Sequence, residues 1–211
     1  SVGQGGTGAS YGGLGAGPNN NYGNGNACNA CNQPNGPSHC EGAPGPVYGT
    51  ANADDIAMGS GGGSAGNSSG CNSAGGVGGR GGGSIILLAN VSVTIEGTVT
   101  ALGEEPAPDN QMANCGNNNY RAGGGGGAGG GIVIASDTVS GPDTAIVRAS
   151  GGRGGEALGE PLNQTWGWAG GGGGGGRIKL FAPNNTFTGK TEVLGGAGGK
   201  FPATGNSFGA D

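Results

Sequence analysis

Residues 171–199 read GGGGGGRIKLFAPNNTFTGKTEVLGGAGG, and this stretch decides how the rest of the chain is read. A glycine run passes into a short apolar strand ending at Ala182, turns at Pro183-Asn184-Asn185, crosses a second strand and returns to glycine. Residues 127–155, GAGGGIVIASDTVSGPDTAIVRASGGRGG, follow the same order, and so do residues 78–103, GGRGGGSIILLANVSVTIEGTVTALG. The alanines that close the first strand, Ala89, Ala135 and Ala182, recur 46 and 47 residues apart. That spacing lies within the range of repeat architectures, so three copies of one supersecondary unit are expected.

Within a unit the strands show themselves by period two. From Ser92 to Thr100, Val93, Ile95 and Val99 alternate with Ser, Thr and Glu. Ile178, Leu180 and Ala182 share one face, with Lys179 on the other. Ile85 to Leu88 is apolar on both faces, which predicts cover on both sides. Turn signals stand at Asn90, Gly141-Pro142-Asp143 and Pro183-Asn184-Asn185. No segment carries a helical period.

Glycine accounts for 59 of the 211 residues, whereas 10 % are charged, 5 % are aromatic and His39 is the one histidine. Ordering each glycine costs ~0.5–1 kcal/mol more than ordering an alanine. With so few long side chains, the expected source of order is backbone pairing between closely approaching glycine segments. The net charge of −5 argues against nucleic acid or an anionic membrane surface as partner. No apolar run approaches the roughly 18 residues of a membrane span. The Gly-X-Y period of collagen is not sustained.

The glycine runs 123–127 and 170–176 enter strands at the same phase of the repeat, which a flexible linker has no reason to do. The expected fold is therefore all-β: a glycine-rich β-solenoid-like stack of short strands with polyglycine, polyproline-II-like extended segments and no significant helix. One domain covers residues 1–211. Residues 1–77 form Gly-, Asn- and Cys-rich ordered loops, residues 78–200 the three repeats and residues 201–211 a tail. Residues 104–122 and 156–169 are insertions off the same stack.

Ser10-Tyr11-Gly12-Gly13, Tyr48-Gly49, Gly59-Ser60-Gly61-Gly62-Gly63 and the GGGGGGRI run into Ile178 resemble glycine-rich repeats of large secreted or surface-exposed proteins. The likeness covers residues 76–199 well and the N-terminal part loosely, departing at the Asn- and Cys-rich residues 19–46. It implies an extracellular structural or adhesive β-solenoid or polyglycine II assembly, with no catalytic residues to carry over.

Candidate sites are few. Cys28, Cys31, Cys40, Cys71 and Cys115 are disulfide candidates. Cys28-x-x-Cys31 beside His39-Cys40 lacks the second knuckle of a zinc site. Five cysteines allow fifteen ways of forming two bridges, and the sequence does not choose among them. Asn67, Asn90, Asn163 and Asn184 head Asn-x-Ser/Thr sequons and are N-glycosylation candidates. Trp166 and Trp168, with Tyr120, could contact carbohydrate or a protein partner, or simply cover the glycine stack. Asp54-Asp55 and Glu104-Glu105 are adjacent pairs that diverge on a strand, so solvated acids are expected. Neither a nucleophile elbow nor a phosphate loop is present in context, and no cofactor or metal is implied.

These features point to a non-enzymatic, extracellular structural protein that associates with itself as a fibre, filament or coat and carries glycans. Ser1 in place of an initiating methionine fits removal of a targeting segment. An adhesin recognising carbohydrate or a receptor is the alternative. A weaker one is ice binding, for which no long Thr-x-Thr ladder appears.

Overall fold

The computed structural model describes residues 7–13, 15, 45–50, 55–65, 76–107, 119–121, 123–156, 158–160 and 169–200, with 119–121 and 158–160 as backbone alone. Each repeat contributes three strands. The first supplies β1 (Ser84–Leu88), β2 (Ser92–Thr94) and β3 (Thr98–Thr100). Two short strands, β4 (Asn119–Arg121) and β8 (Leu158–Glu160), come from the two insertions and pair antiparallel. The second repeat supplies β5 (Gly131–Ala135), β6 (Thr138–Gly141) and β7 (Ile146–Arg148). The third supplies β9 (Arg177–Phe181), β10 (Asn184–Phe187) and β11 (Lys190–Glu192).

Like pairs with like. The nine repeat strands form three parallel three-stranded sheets, ordered β1-β5-β9, β2-β6-β10 and β3-β7-β11, with the second repeat between the other two. No helix occurs among the described residues, and the fold is all-β. The sequence pattern suggested two strands per repeat. The structure divides the second at Gly97, and at the equivalent corners near Pro142 and Gly189, because each corner carries a residue that interrupts pairing.

Register stacks equivalent side chains in rows. Ile85, Ile132 and Ile178 form one, and Leu87, Ile134 and Leu180 the next. The middle repeat is sealed: Ile132, Ile134, Val139 and Val147 are all 0 % exposed. Burying each such side chain contributes about 1.5–3 kcal/mol. In the outer repeats the equivalents Ile85, Leu87, Val93, Ile178 and Leu180 are half-buried, because each lacks a neighbouring rung on one side. The expectation that Ile85 to Leu88 is covered on both faces fails on the outward face of β1. Ile86 and Leu88 are 54 % and 71 % exposed, whereas Val133 and Lys179, on the same face of β5 and β9, are buried. Residues 55–57 cross that face over β5 and β9.

The glycine segments form a second layer held by main chain. Segment 123–130 lies at its centre. Its amides at 125 and 128 donate to the carbonyls of Gly63 and Ser60, those at 126 and 129 to Gly171 and Gly174, and those at 127 and 130 to Glu104 and Ala101. Its carbonyls at 124 and 127 accept from Gly155 and Gly152, those at 125 and 128 from Gly79 and Gly82, and that of Gly126 from Ala9. These bonds measure 2.8 to 3.0 Å. Successive residues thus turn toward different neighbours with period three, and six segments surround the central one.

Gly49, at φ +75°, is the single residue with positive φ among those described. Elsewhere in this layer the unusual freedom of glycine is unused, and what matters is the missing side chain. A Cβ on Gly125 would overlap the carbonyl oxygen of Thr7, one on Gly126 that of Gly152, and one on Gly127 that of Arg80. Ala128 is tolerated because its methyl points into a small cluster with Ala9 and Tyr11.

Candidate functional site

Three features of the surface have the geometry of a site. The first lies over β5 and β9. Lys179, expected on the outward face, does point that way, yet its side chain is 5 % exposed. Its Nζ donates to the Asp55 carboxylate at 2.8 Å and to the Asp55 carbonyl. The hydroxyl and amide of Thr50 donate to the same carboxylate. These bonds, the one from Lys179 foremost, hold the Asp55 carboxyl well below the usual carboxylate range. Asp55 is thus a structural anchor that fastens its segment to β9.

Beside it, Tyr11 and Tyr48 pack with ring centroids 4.9 Å apart, and the guanidinium carbon of Arg177 stands 5.7 Å from the Tyr11 centroid. Arg177 Nη2 donates to the Tyr48 carbonyl at 3.1 Å, while its buried Nε finds no partner among the described residues. The Tyr48 hydroxyl donates to the Met58 carbonyl at 2.6 Å, the amide of Ala57 donates to the Tyr11 hydroxyl at 3.0 Å, and burial pushes the Tyr48 phenol upward. Gly49 belongs here because a side chain would press on the Tyr11 ring, 3.1 Å from its Cβ position. The cluster is closed on itself, and its chemistry is that of a clamp.

The second feature is the outward face of sheet β2-β6-β10. It carries two polar rows, Ser92-Thr138-Asn184 and Thr94-Ser140-Thr186. Thr94 and Ser140 share a hydrogen bond at 3.1 Å, and Asn184 Nδ2 donates to Thr138 at 3.5 Å.

The third lies at the ends of the stack. Exposed large apolar side chains occur on the first repeat (Ile86, Leu88, Val91, Leu102) and on the third (Phe181, Val193, Leu194). None occurs on the middle repeat among the described residues. The third repeat also opens into a groove of about 510 Å³, lined by residues of β9 and β11, among them Arg177, Ile178, Leu180 and Thr191, and by Val193.

The sequence-derived candidates fall unevenly on this frame. Asn90 and Asn184 are both exposed, Asn90 between β1 and β2 and Asn184 at the start of β10. Tyr120 lies in β4, opposite Gly159 of β8. Glu104 is exposed beside Arg80 at 4.0 Å. Cys28, Cys31, Cys40, Cys71, Cys115, His39, Asn67, Asn163, Asp54, Trp166 and Trp168 lie outside the described residues. No group of three or more His, Cys, Asp or Glu that could hold a metal occurs among the described residues, and no described helix is long and apolar enough to cross a membrane. The Lys179–Asp55 anchor escaped sequence reading because its partners are 124 residues apart.

Compared with known proteins, the chain matches no family model, no curated protein and no solved structure.

Proposed function

We propose that the chain is an extracellular structural protein, a protomer of a fibre, filament or coat, with no catalytic role. In this reading the three sheets and the glycine layer belong to one β-solenoid-like stack, and the glycine segments pack as polyglycine II, the three-residue-per-turn extended form. The observation that carries it is the central segment 123–130, whose backbone groups are divided among six neighbours. Such an arrangement fixes shape without presenting convergent side chains, which suits a scaffold better than a reaction site.

Glycans at Asn90 and Asn184, both exposed, fit secretion. Cross-links among Cys28, Cys31, Cys40, Cys71 and Cys115 would suit the same oxidising setting.

The test is the native material. Electron micrographs should show regular multimers, and amide exchange through residues 123–131 and 170–176 should be slow. A monodisperse, stably folded monomer at micromolar concentration, or rapid deuterium uptake through those segments, would refute the reading.

A second reading, an adhesin, has one observation in its favour. The antiparallel β4–β8 pair joins the two insertions, so the loop carrying Tyr120 is tied to the loop that continues to Trp166 and Trp168. Alanine at both tryptophans should abolish glycan binding with assembly intact if that reading holds. The two polar rows on β2-β6-β10 are only three ranks deep, which leaves ice binding the weakest alternative, checked by thermal hysteresis.

A further inference from the structure

We infer that the two ends of the stack are complementary halves of one interface, so that the first repeat of a second copy docks, in parallel and in register, on the third repeat. This rests on the fibre reading above and specifies its joint.

Every junction between repeats inside the chain uses the same main-chain pairs. The amides of Gly127 and Gly130 in the second repeat donate back to Glu104 and Ala101 of the first, and those of Gly173 and Gly176 in the third donate back to Gly152 and Ala149 of the second. One step further, the amides of Arg80 and Gly83 would donate to the carbonyls of Gly196 and Val193 in a preceding copy. In the other direction, Gly103 donates forward to Ser150, and Gly151 to Leu194. The next step takes the amide of Gly195 to the carbonyl of Leu102 in a following copy. Among the described residues none of these six groups has a hydrogen-bond partner. Donors therefore face acceptors across both ends, as in a head-to-tail contact that repeats without closing.

The sheets agree. β1 and β9 are the edge strands of one sheet, β2 and β10 of the second, β3 and β11 of the third, and unpaired edges are templates for another chain. Extending the observed rows sets Phe181 against Leu88, Thr186 against Thr94, Asn184 against Ser92, and Glu192 against Thr100. No like-charged residues meet. Ile178 and Leu180, which line the groove on the third repeat, would receive Ile85 and Leu87 as they already receive Ile132 and Ile134. The exposed apolar side chains of the repeats occur on the first and third and not between them, as a contact between those two repeats would have it. In the inward rows the joint differs from the interior: Asn185 and Thr191 stand where the second repeat has Val139 and Val147. That makes it wetter, and separable without unfolding.

Leu88 and Phe181 test the geometry, since both are exposed and neither belongs to the sealed core. Leu88→Glu and Phe181→Lys, each alone, should weaken multimer formation by tenfold or more in sedimentation at micromolar concentration, with circular dichroism unchanged. The double variant should recover association to within a few-fold of the parent, because each joint would then set the introduced carboxylate of one copy against the introduced ammonium of the next. Restoration by the second charge is not a result that mere damage to the fold can give. Multimers unaffected by either single change would overturn the joint and leave the fibre reading standing, whereas a closed dimer and nothing larger would defeat the joint and the fibre alike. A parent protein that stays monomeric would overturn both.

Discussion

The aliphatic sheets and the glycine layer are built from the same three repeats, yet opposite rules keep them together. In the sheets, order comes from what side chains add: the residues of the middle repeat are sealed because a rung lies on either side, and those of the outer repeats are not. In the glycine layer, order comes from what is missing. Each absent Cβ lets a neighbouring carbonyl approach, and the amides exposed by that approach are satisfied by backbone alone. The sheets should therefore lose stability when a sealed side chain is made smaller, and the glycine layer when a missing one is added.

The largest effect follows at the centre of the glycine layer. Gly125→Ala adds one methyl where the Thr7 carbonyl already stands, and relief requires a whole segment to move. A loss on the order of 3 kcal/mol or more is expected in urea unfolding. The same change at Gly97, a corner with nothing within 4 Å of the added atom, should cost nothing and gain up to about 1 kcal/mol. Equal effects at the two sites would erase the distinction between the layers.

Next comes Ile134→Ala in the sealed sheet, with an expected loss of about 2–5 kcal/mol. Ile86→Ala, on the open face of the first repeat, should stay within about 0.5 kcal/mol. If both cost alike, Ile86 is covered in solution, and the assembled state is the one being unfolded.

The smallest effect concerns the clamp. The folded Asp55 carboxyl titrates below its unfolded counterpart, so the unfolded chain takes up the proton first as pH falls through about 4. The contribution of Asp55 is complete above that value and fades as pH drops toward its folded pKa. Melting temperature measured from pH 6 to pH 2.5 should fall more steeply for the parent than for Asp55→Asn, with the two curves converging at the acid end. Parallel curves would show that the Lys179 contact adds nothing.

Much of the sheet layer was legible beforehand because side chains carry a period. Alternation around Val93 and Ile178 and the recurrence of Ala89, Ala135 and Ala182 announced strands and repeats. The third strand of each repeat was not seen as separate, since Thr98–Thr100, Ile146–Arg148 and Lys190–Glu192 are each too short to display a period. In the glycine layer the phase of the runs was readable and the order of neighbours was not, because seven identical residues from Gly170 to Gly176 carry no mark of which segment each one meets. The clamp was hidden for another reason: the burial of Lys179 depends on a segment far away in sequence, and a lysine on an outward face reads as solvated until that segment is placed.

The corners between the second and third sheets differ in length while the sheets stay in step. Between aligned pairs the first and third repeats use residues 95–97 and 187–189, whereas the second uses 141–145, with the Ala145 amide turned back onto the Pro142 carbonyl at 3.0 Å. Two extra residues are looped out there, and Ile146 resumes opposite Thr98 as though nothing had intervened. Such a corner of spare length is a natural graft point: an epitope or affinity tag inserted after Pro142 should leave the register of all three sheets unchanged.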